Sequence, residues 1–159
     1  MSSGVLLRPA RVEDAEPMRR LARDAYAHYV PRIGREPAPM TADYDQVITR
    51  GQAWVAEQRG QLVGLLVLVP ADDHLLLENI AVAPNRQGSG IGALLLNKAE
   101  EQAHASGLPE IRLYTNQAMT ENLTYYPRHG YHESRRTTQD GTAGFTSSRP
   151  YTARDRDSG

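Results

Sequence analysis

Glu78-Asn79-Ile80-Ala81-Val82-Ala83-Pro84-Asn85-Arg86-Gln87-Gly88-Ser89-Gly90-Ile91-Gly92 is the stretch on which the fold turns. Its first five residues close a run from His74 to Val82 that reads as a strand. Residues from about Ser89 to Ser106 read as a helix stopped by Gly107, with Ile91, Leu94, Leu95, Ala99 and Ala103 as its apolar stripe. Between strand and helix lies a turn with glycines at 88, 90 and 92. Glycines weaken a helix start, so three of them point to a backbone that something approaches closely. The N–H groups and positive end of a helix suit a pyrophosphate, and Arg86 adds a cation. Ser89 has no His and acid beside it in sequence, so it reads as a phosphate contact and not a nucleophile. The bland alternative is a tight turn that binds nothing.

Other phosphate motifs fit less well. A P-loop needs Lys-Ser/Thr after its last glycine, and Ala93-Leu94 follow Gly92. A dinucleotide fingerprint needs an acid about twenty residues on, at the end of the next strand. That region is Arg112-Leu113-Tyr114-Thr115.

Working outward, Val5 to Arg8 reads as a strand, and Glu13-Asp14 place acids at the start of a helix. Met18, Leu21, Ala22, Ala25, Tyr26 and Tyr29 follow at helical spacing. Val30 to Met40, with three prolines, reads as a loop, and Thr41 as the cap of a helix reaching about Arg50. Ala53 to Glu57 and Leu62 to Val69 form a hairpin around Gln58-Arg59-Gly60-Gln61. Beyond the long helix, Glu110 to Thr115 is a strand, Thr120 to Arg128 a short helix and Tyr131 to Arg136 a strand. Asp140-Gly141 is a turn. The order is β-α-α-β-β-β-α-β-α-β: a mixed α/β domain, antiparallel at first, with a crossover after the fourth strand. Residues 1–149 read as one domain and 150–159 as a flexible polar tail.

The chain has 159 residues, enough for one domain; 40% are hydrophobic, and the net charge is −1 with both signs mixed. No global field selects nucleic acid or a membrane surface, so neither is expected as a partner. The absence of cysteine excludes disulfides, thiolate metal sites and a cysteine nucleophile. His28, His74, His104, His129 and His132 lack metal-ligand spacing, so no metal is expected. With no signal-peptide pattern and no long apolar run, a cytoplasmic location is the default.

These residues resemble the GCN5-related N-acetyltransferases. That family's acetyl-CoA motif is Gln/Arg-x-x-Gly-x-Gly/Ala, and Gln87, Gly90 and Gly92 match it in register. Its next signature is a tyrosine five residues before an aromatic, with glycine just before the aromatic; Tyr126, Gly130 and Tyr131 match. The resemblance covers roughly residues 4 to 137. Two positions depart from the pattern. Met119 stands where an asparagine is frequent, leaving Asn116 and Asn122 as the candidate cofactor contacts. The last strand, usually apolar, would be Ala143 to Ser148, which is not; a homodimer built on that edge is left open.

The resemblance implies acetyl-CoA as acyl donor, attacked directly by a bound amine. Ile80, Ala81 and Val82 would splay from the neighbouring strand and pair with the pantetheine arm. The turn from Arg86 through Gln87, Gly88, Ser89, Gly90, Ile91 and Gly92 would hold the phosphates. Tyr126 is the candidate general acid, with a packing tyrosine as the alternative. A phenol titrates near ~10, so it is protonated at neutral pH. Glu78, which interrupts an apolar run, is the candidate general base, or else a solvated edge residue. The loop from Tyr26 to Met40 would cover the acceptor, with Tyr26, Tyr29, Arg32 and Arg35 as candidate contacts. Two arginines point to a small amine that also carries a carboxylate or phosphate, with a merely solvated loop as the alternative. The competing readings are acetylation of a protein N-terminus or lysine, and a non-catalytic acyl-CoA-binding module.

Overall fold

The computed structural model describes residues 4–34, 38–116, 126, 128, 130–139 and 142–150. These fall into two compact units, Met1–Leu68 with Asn79–Lys98, and Val69–Glu78 with Ala99–Gly159.

In the first unit β1 (Val5–Pro9) pairs antiparallel with β2 (Ala53–Gln58), and β2 pairs antiparallel with β3 (Gln61–Pro70). The β2–β3 turn places Arg59 at φ 54° and Gly60 at φ 78°. Two successive positive φ values make the primed turn whose twist matches a tight hairpin. Val55, Leu65 and Leu66 from this hairpin are fully buried, as are Met18 and Ala22 of α1 (Ala15–Tyr26). The α1 face is the one expected from its spacing.

The segment after α1 departs from the loop expected over Val30 to Met40. A 3-10 turn at Ala27–Tyr29 leads into a helical turn α2 (Val30–Ile33), which Gly34 ends at φ 85°; another, α3, spans Ala38–Thr41. Pro31 sits in the first turn of α2 and Pro39 in that of α3, where a helix needs no N–H from them. Thr41 ends α3, two residues before the cap of the next helix. The next helix, α4 (Tyr44–Thr49), is shorter than expected and is capped by Asp43, whose carboxylate accepts from Gln46 N at 3.1 Å.

The long helix α5 spans Ile91–Ala105. Its buried face in this unit carries Ile91, Leu95 and Leu96, while Leu94 is 39% exposed. At about 100° per residue, the buried ridge through residues 91, 95, 99 and 103 drifts toward Leu96 and away from Leu94, which leaves the face on which it was expected. Gly64 on β3 lies under this helix. A Cβ there would meet Ile91 Cγ2 at 3.0 Å, Leu95 Cδ1 at 3.1 Å and Ala56 Cβ at 3.3 Å.

In the second unit β4 (Leu75–Val82) enters parallel to β5 (Glu110–Asn116), in the register Leu75↔Ile111 and Leu76↔Arg112. This is the expected crossover. β5 is flanked antiparallel by β7 (Thr142–Pro150), which in turn pairs antiparallel with β6 (His132–Gln139). The sequence carried no clear sign of β7. It pairs along its length with both neighbours, from Glu110↔Pro150 to Asn116↔Gly144 and from His132↔Ser148 to Gln139↔Thr142. Backbone pairing on two sides needs no apolar alternation that a sequence reader could see. Leu75, Leu77, Ala99, Ala103, Ile111 and Leu113 are buried in this unit. The helix expected over Thr120 to Arg128 lies outside the described residues except at Tyr126 and Arg128, both helical. Asp140-Gly141 also lies outside them.

Candidate active site

The glycine turn is built from the end of β4. A 3-10 turn at Pro84–Arg86 is followed by Gln87 in extended conformation, then by Gly88 at φ 83° and Gly90 at φ 91°. Side chains other than glycine rarely adopt such φ values. The Ser89 N–H donates to Arg86 O at 3.3 Å, and the Ser89 hydroxyl donates to the same carbonyl, closing the turn on itself. Leu94 N donates to Gly90 O at 3.2 Å. The first helical bond therefore falls at Gly90, and α5 starts two residues later than the sequence suggested. The N–H groups of Ile91, Gly92 and Ala93 lie in the first turn, where an α-helix supplies no carbonyl for them. A Cβ at Gly88 or Gly90 would have nothing within 4 Å. Open space thus lies over a backbone bent at the positive end of a 15-residue helix. The turn fits a phosphate group.

Strand β4 alternates strictly. Leu75, Leu77, Asn79 and Ala81 are buried, while Glu78 is exposed between half-buried Leu76 and Ile80. Glu78, the base candidate, therefore stands on the face away from the core. The polar residue on the core side is Asn79, 5% exposed. Its amide Nδ2 donates to the Tyr44 hydroxyl at 2.8 Å, and that hydroxyl donates to Pro39 O. On the other side the Tyr26 hydroxyl lies 2.7 Å from Ile80 O and 3.3 Å from Asn79 Oδ1. Burial, then the neighbouring Tyr44 and Tyr29 phenols, push the Tyr26 phenol above its usual range, so it remains a donor. Gln87 Nε2 reaches Val82 O at 3.4 Å.

Sequence reasoning missed Asn79 and Tyr44. The available signal was an asparagine in phase with Leu75 and Leu77 on a strand. A buried amide needs partners, and here they come from α1 and α4.

Among the acceptor candidates, Tyr29 is buried and Arg32 exposed. The Arg32 guanidinium lies 5.4 Å from the Tyr29 ring centroid, and the His28 ring 3.9 Å from it on a tilted contact. Tyr26 and Tyr29 have centroids 6.0 Å apart. Arg35 and Asn122 lie outside the described residues, and of Asn116 only the backbone, at the end of β5, is described. In the second unit Tyr126 is 7% exposed and meets the Tyr131 ring edge-on at 5.7 Å between centroids. Tyr131 N donates to Tyr126 O at 3.1 Å, so Gly130, at φ 87°, turns the chain back over the tyrosine. Among the described residues no group of three His, Asp or Glu is arranged to hold a metal, and no helix is long and apolar enough to cross a membrane.

Comparison with known proteins gives this geometry its family. The sequence profile of the acetyltransferase (GNAT) domain matches residues 49–133, just over half of the chain. A region of 87 residues is 31% identical to N-acetyltransferase family 8 member 3 of Rattus norvegicus, covering 51% of this chain and 38% of that protein. A probable N-acetyltransferase of Mycobacterium tuberculosis is 28% identical over 110 residues, covering 66% of this chain and 62% of its own length. The matches thus span between about two fifths and three fifths of these relatives. Among solved structures, the PaiA N-acetyltransferase of Thermoplasma acidophilum, in complex with coenzyme A, superposes with a TM-score of 0.79 at 21% identity. It covers 95% of this chain and 100% of that one. The ribosomal-protein-S18-alanine N-acetyltransferase of Escherichia coli superposes with a TM-score of 0.71 at 17% identity, covering 94% and 96%. With a glycine turn opening a helix after a strand, and with the domain profile running across both, the chain belongs to the GNAT acetyltransferase family.

Proposed function

We propose that the protein is an N-acetyltransferase that moves the acetyl group of acetyl-CoA to the primary amine of a small molecule. The observation that carries this reading is the open space over Gly88 and Gly90, both at positive φ, where α5 begins. The turn from Arg86 to Gly92 takes the phosphates, with Arg86 as cation and the first N–H groups of α5 as donors. The amide-bearing arm lies along β4 at Ile80, Ala81 and Val82, beyond the residues registered with β5. The thioester supplies an activated acetyl group, and what the chain adds is position and proton transfer. Glu78 takes the proton that the ammonium must lose before its nitrogen can attack. Tyr126 gives its phenolic proton to the sulfur as the C–S bond breaks. The site lies in the cytoplasm.

The acceptor is a small amine with an anionic group. Arg32, on the exposed side of α2, supplies a bidentate cation beside Tyr29. Arg35 belongs to the same stretch of chain. The test is acetyl-CoA-dependent thiol release across amino acids, amino-sugar phosphates, polyamines and peptides. Release with a small anionic amine is expected. Release with peptides alone would overturn the small-molecule reading, and failure to bind coenzyme A at all would overturn the activity.

A further inference from the structure

Asn79 is buried on β4, and its two polar side-chain atoms meet two tyrosines from different elements. The Tyr44 hydroxyl, at the start of α4, fixes which atom meets which. A carbonyl can only accept, so the bond to Pro39 O uses the one proton of Tyr44, and the Tyr44 oxygen is left to accept. The Asn79 atom 2.8 Å from it is therefore the amide nitrogen, and Oδ1 is turned to the Tyr26 hydroxyl at 3.3 Å. Tyr26 shares its own proton between that oxygen and Ile80 O at 2.7 Å. Burial holds the Tyr26 phenol above its ordinary range, so the proton stays in place.

Each arm of this amide ends on a helical turn. Pro39 lies in α3, which stops at Thr41, so its carbonyl is among those that a helix end leaves without an internal partner. Tyr44 supplies the donor. On the other arm, the Tyr26 ring lies 6.0 Å from the ring of buried Tyr29, in the 3-10 turn that runs into α2. Arg32 of α2 stands 5.4 Å from the same ring. Both α2 and α3 are four residues long, too short to hold a helical shape alone. Their placement depends on anchorage, and one anchor of each leads back to Asn79.

We propose that Asn79 is a positioning residue for the acceptor: its one amide holds α3 through Tyr44 and α2 through Tyr26 and Tyr29, so that the acceptor cover, with Arg32 on it, is set before the acceptor arrives. This rests on the reading of Tyr26 to Met40 as that cover. A cover already in place loses less entropy when a small amine binds. Its release should therefore appear in the acceptor KM and not in coenzyme A affinity.

Hydrogen exchange tests the two arms without any acceptor. The reporters are the amides of Thr41 in α3 and of Gly34, which donates to Val30 O of α2 at 2.8 Å. The control is the amide of Ala10, which donates to Ala53 O on β2 at 2.9 Å. Tyr44→Phe should speed exchange at Thr41 alone, Tyr26→Phe at Gly34 alone, and Asn79→Leu at both. Each effect should be about tenfold, the worth of one hydrogen bond, with Ala10 within about twofold. Calorimetry should give coenzyme A affinities within about twofold of wild type for Tyr44→Phe and Asn79→Leu. Kinetics use the amino acid or amino-sugar phosphate that releases most thiol in the wild type. There Asn79→Leu should raise KM about tenfold and change kcat by less than about twofold. Equal acceleration at all three amides would make Asn79 a residue of stability alone and overturn the proposal. So would a tyrosine variant that moves both turns or neither, and so would a fall in kcat at unchanged KM. The tyrosine variants keep their rings, so the exchange pattern decides even if Asn79→Leu does not fold. A wild type that acetylates none of these amines would instead overturn the small-anion reading, a result distinct from any exchange pattern.

Discussion

Arg8 grips Asp14 at two points, Nη1 to Oδ2 at 2.7 Å and Nη2 to Oδ1 at 3.1 Å, and the pair ties β1 to the start of α1. The same carboxylate accepts from Arg11 N at 2.7 Å, and Arg8 Nε also donates to Glu57 on β2 at 3.0 Å. With side-chain exposures of 12% and 8%, neither member of the pair is screened as a surface charge would be. The Arg8 hydrogen bonds hold the Asp14 carboxyl below the usual carboxylate range, against the opposing effect of burial. A carboxyl with a depressed folded-state pKa stabilises the fold fully above its unfolded value of about 3.9. That contribution is lost as pH falls through the lower folded value. Asp14→Asn should therefore cost about 3 kcal/mol at neutral pH, and the gap to wild type should close as pH drops below about 4. Urea unfolding from pH 7 to pH 2 measures this; a gap that stays constant would show that the charge is not what Asp14 contributes.

Gly64 sets the distance between β3 and the first turns of α5. Its φ is ordinary, so only space matters, and of its three near neighbours Ala56 Cβ is the one that no rotamer change can move. Gly64→Ala should cost about 1 kcal/mol and Gly64→Val about 3, the range for forcing methylenes into a filled core. The valine variant should also weaken coenzyme A, because it pushes off the sheet the end of α5 that is proposed to hold the phosphates. Denaturant unfolding and calorimetry on both variants check the two effects; wild-type stability in Gly64→Val would contradict the packing.

How far the sequence could be read depended on whether a residue's partner was local. The β2–β3 hairpin was legible because Arg59-Gly60 and the flanking apolar runs act over a few residues. The glycine turn was legible for the same reason, and the family motif lies within it. The helical turns at Val30–Ile33 and Ala38–Thr41 were not, because a proline in a first helical turn looks the same in sequence as a proline in a loop. Asn79 was read only as part of a strand. Its role depends on Tyr44 and Tyr26, 35 and 53 positions away. Strand β7 was hidden because it is paired through its backbone on both sides.

At Gly90 two penalties are separable. A side chain there meets no protein atom, so the cost to the free protein is its φ of 91°, about 1–2 kcal/mol. Gly107 has φ 69° and the same open surroundings, but lies at the far end of α5. Gly90→Ala and Gly107→Ala should thus lose similar stability. Only Gly90→Ala should lose coenzyme A affinity, by more than tenfold, about 1.4 kcal/mol, since its methyl enters the space the phosphates need. Thermal melts with and without coenzyme A distinguish them; equal ligand-induced shifts would move the phosphates elsewhere.

Tyr126 is buried and meets Tyr131 edge-on, a ring contact that phenylalanine keeps. Tyr126→Phe should retain coenzyme A binding and lower turnover by about 10² to 10⁴, the range for a general acid. Glu78→Gln, on the exposed side of β4, should lose most rate at low pH, where the amine is most fully protonated and a base is most needed. Turnover unchanged in Tyr126→Phe, or superimposable pH profiles for Glu78→Gln and wild type, would remove the respective residue from the chemistry.

The acceptor's charge is the last expectation. Arg32 stands on a single helical turn whose C-terminal end is fixed by Gly34; the residue is exposed, and its guanidinium lies 5.4 Å from the Tyr29 ring. The aromatic face limits the rotamers available to the guanidinium, so gripping an anion costs less side-chain entropy than it would for a free arginine. A carboxylate or phosphate on the acceptor would meet that fork bidentately, whereas a polyamine would be repelled. The measurement is a paired one: kcat/KM for an amino acid and for its amide, in wild type, Arg32→Ala and Arg35→Ala. Wild type should favour the carboxylate by about tenfold or more, the value of one charge-assisted hydrogen bond, and Arg32→Ala should bring the ratio near one. The loss should appear in KM if the arginine holds ground state and transition state alike. A wild type that favours the amide, or a ratio that neither substitution moves, would leave this segment as a solvated cover over the site.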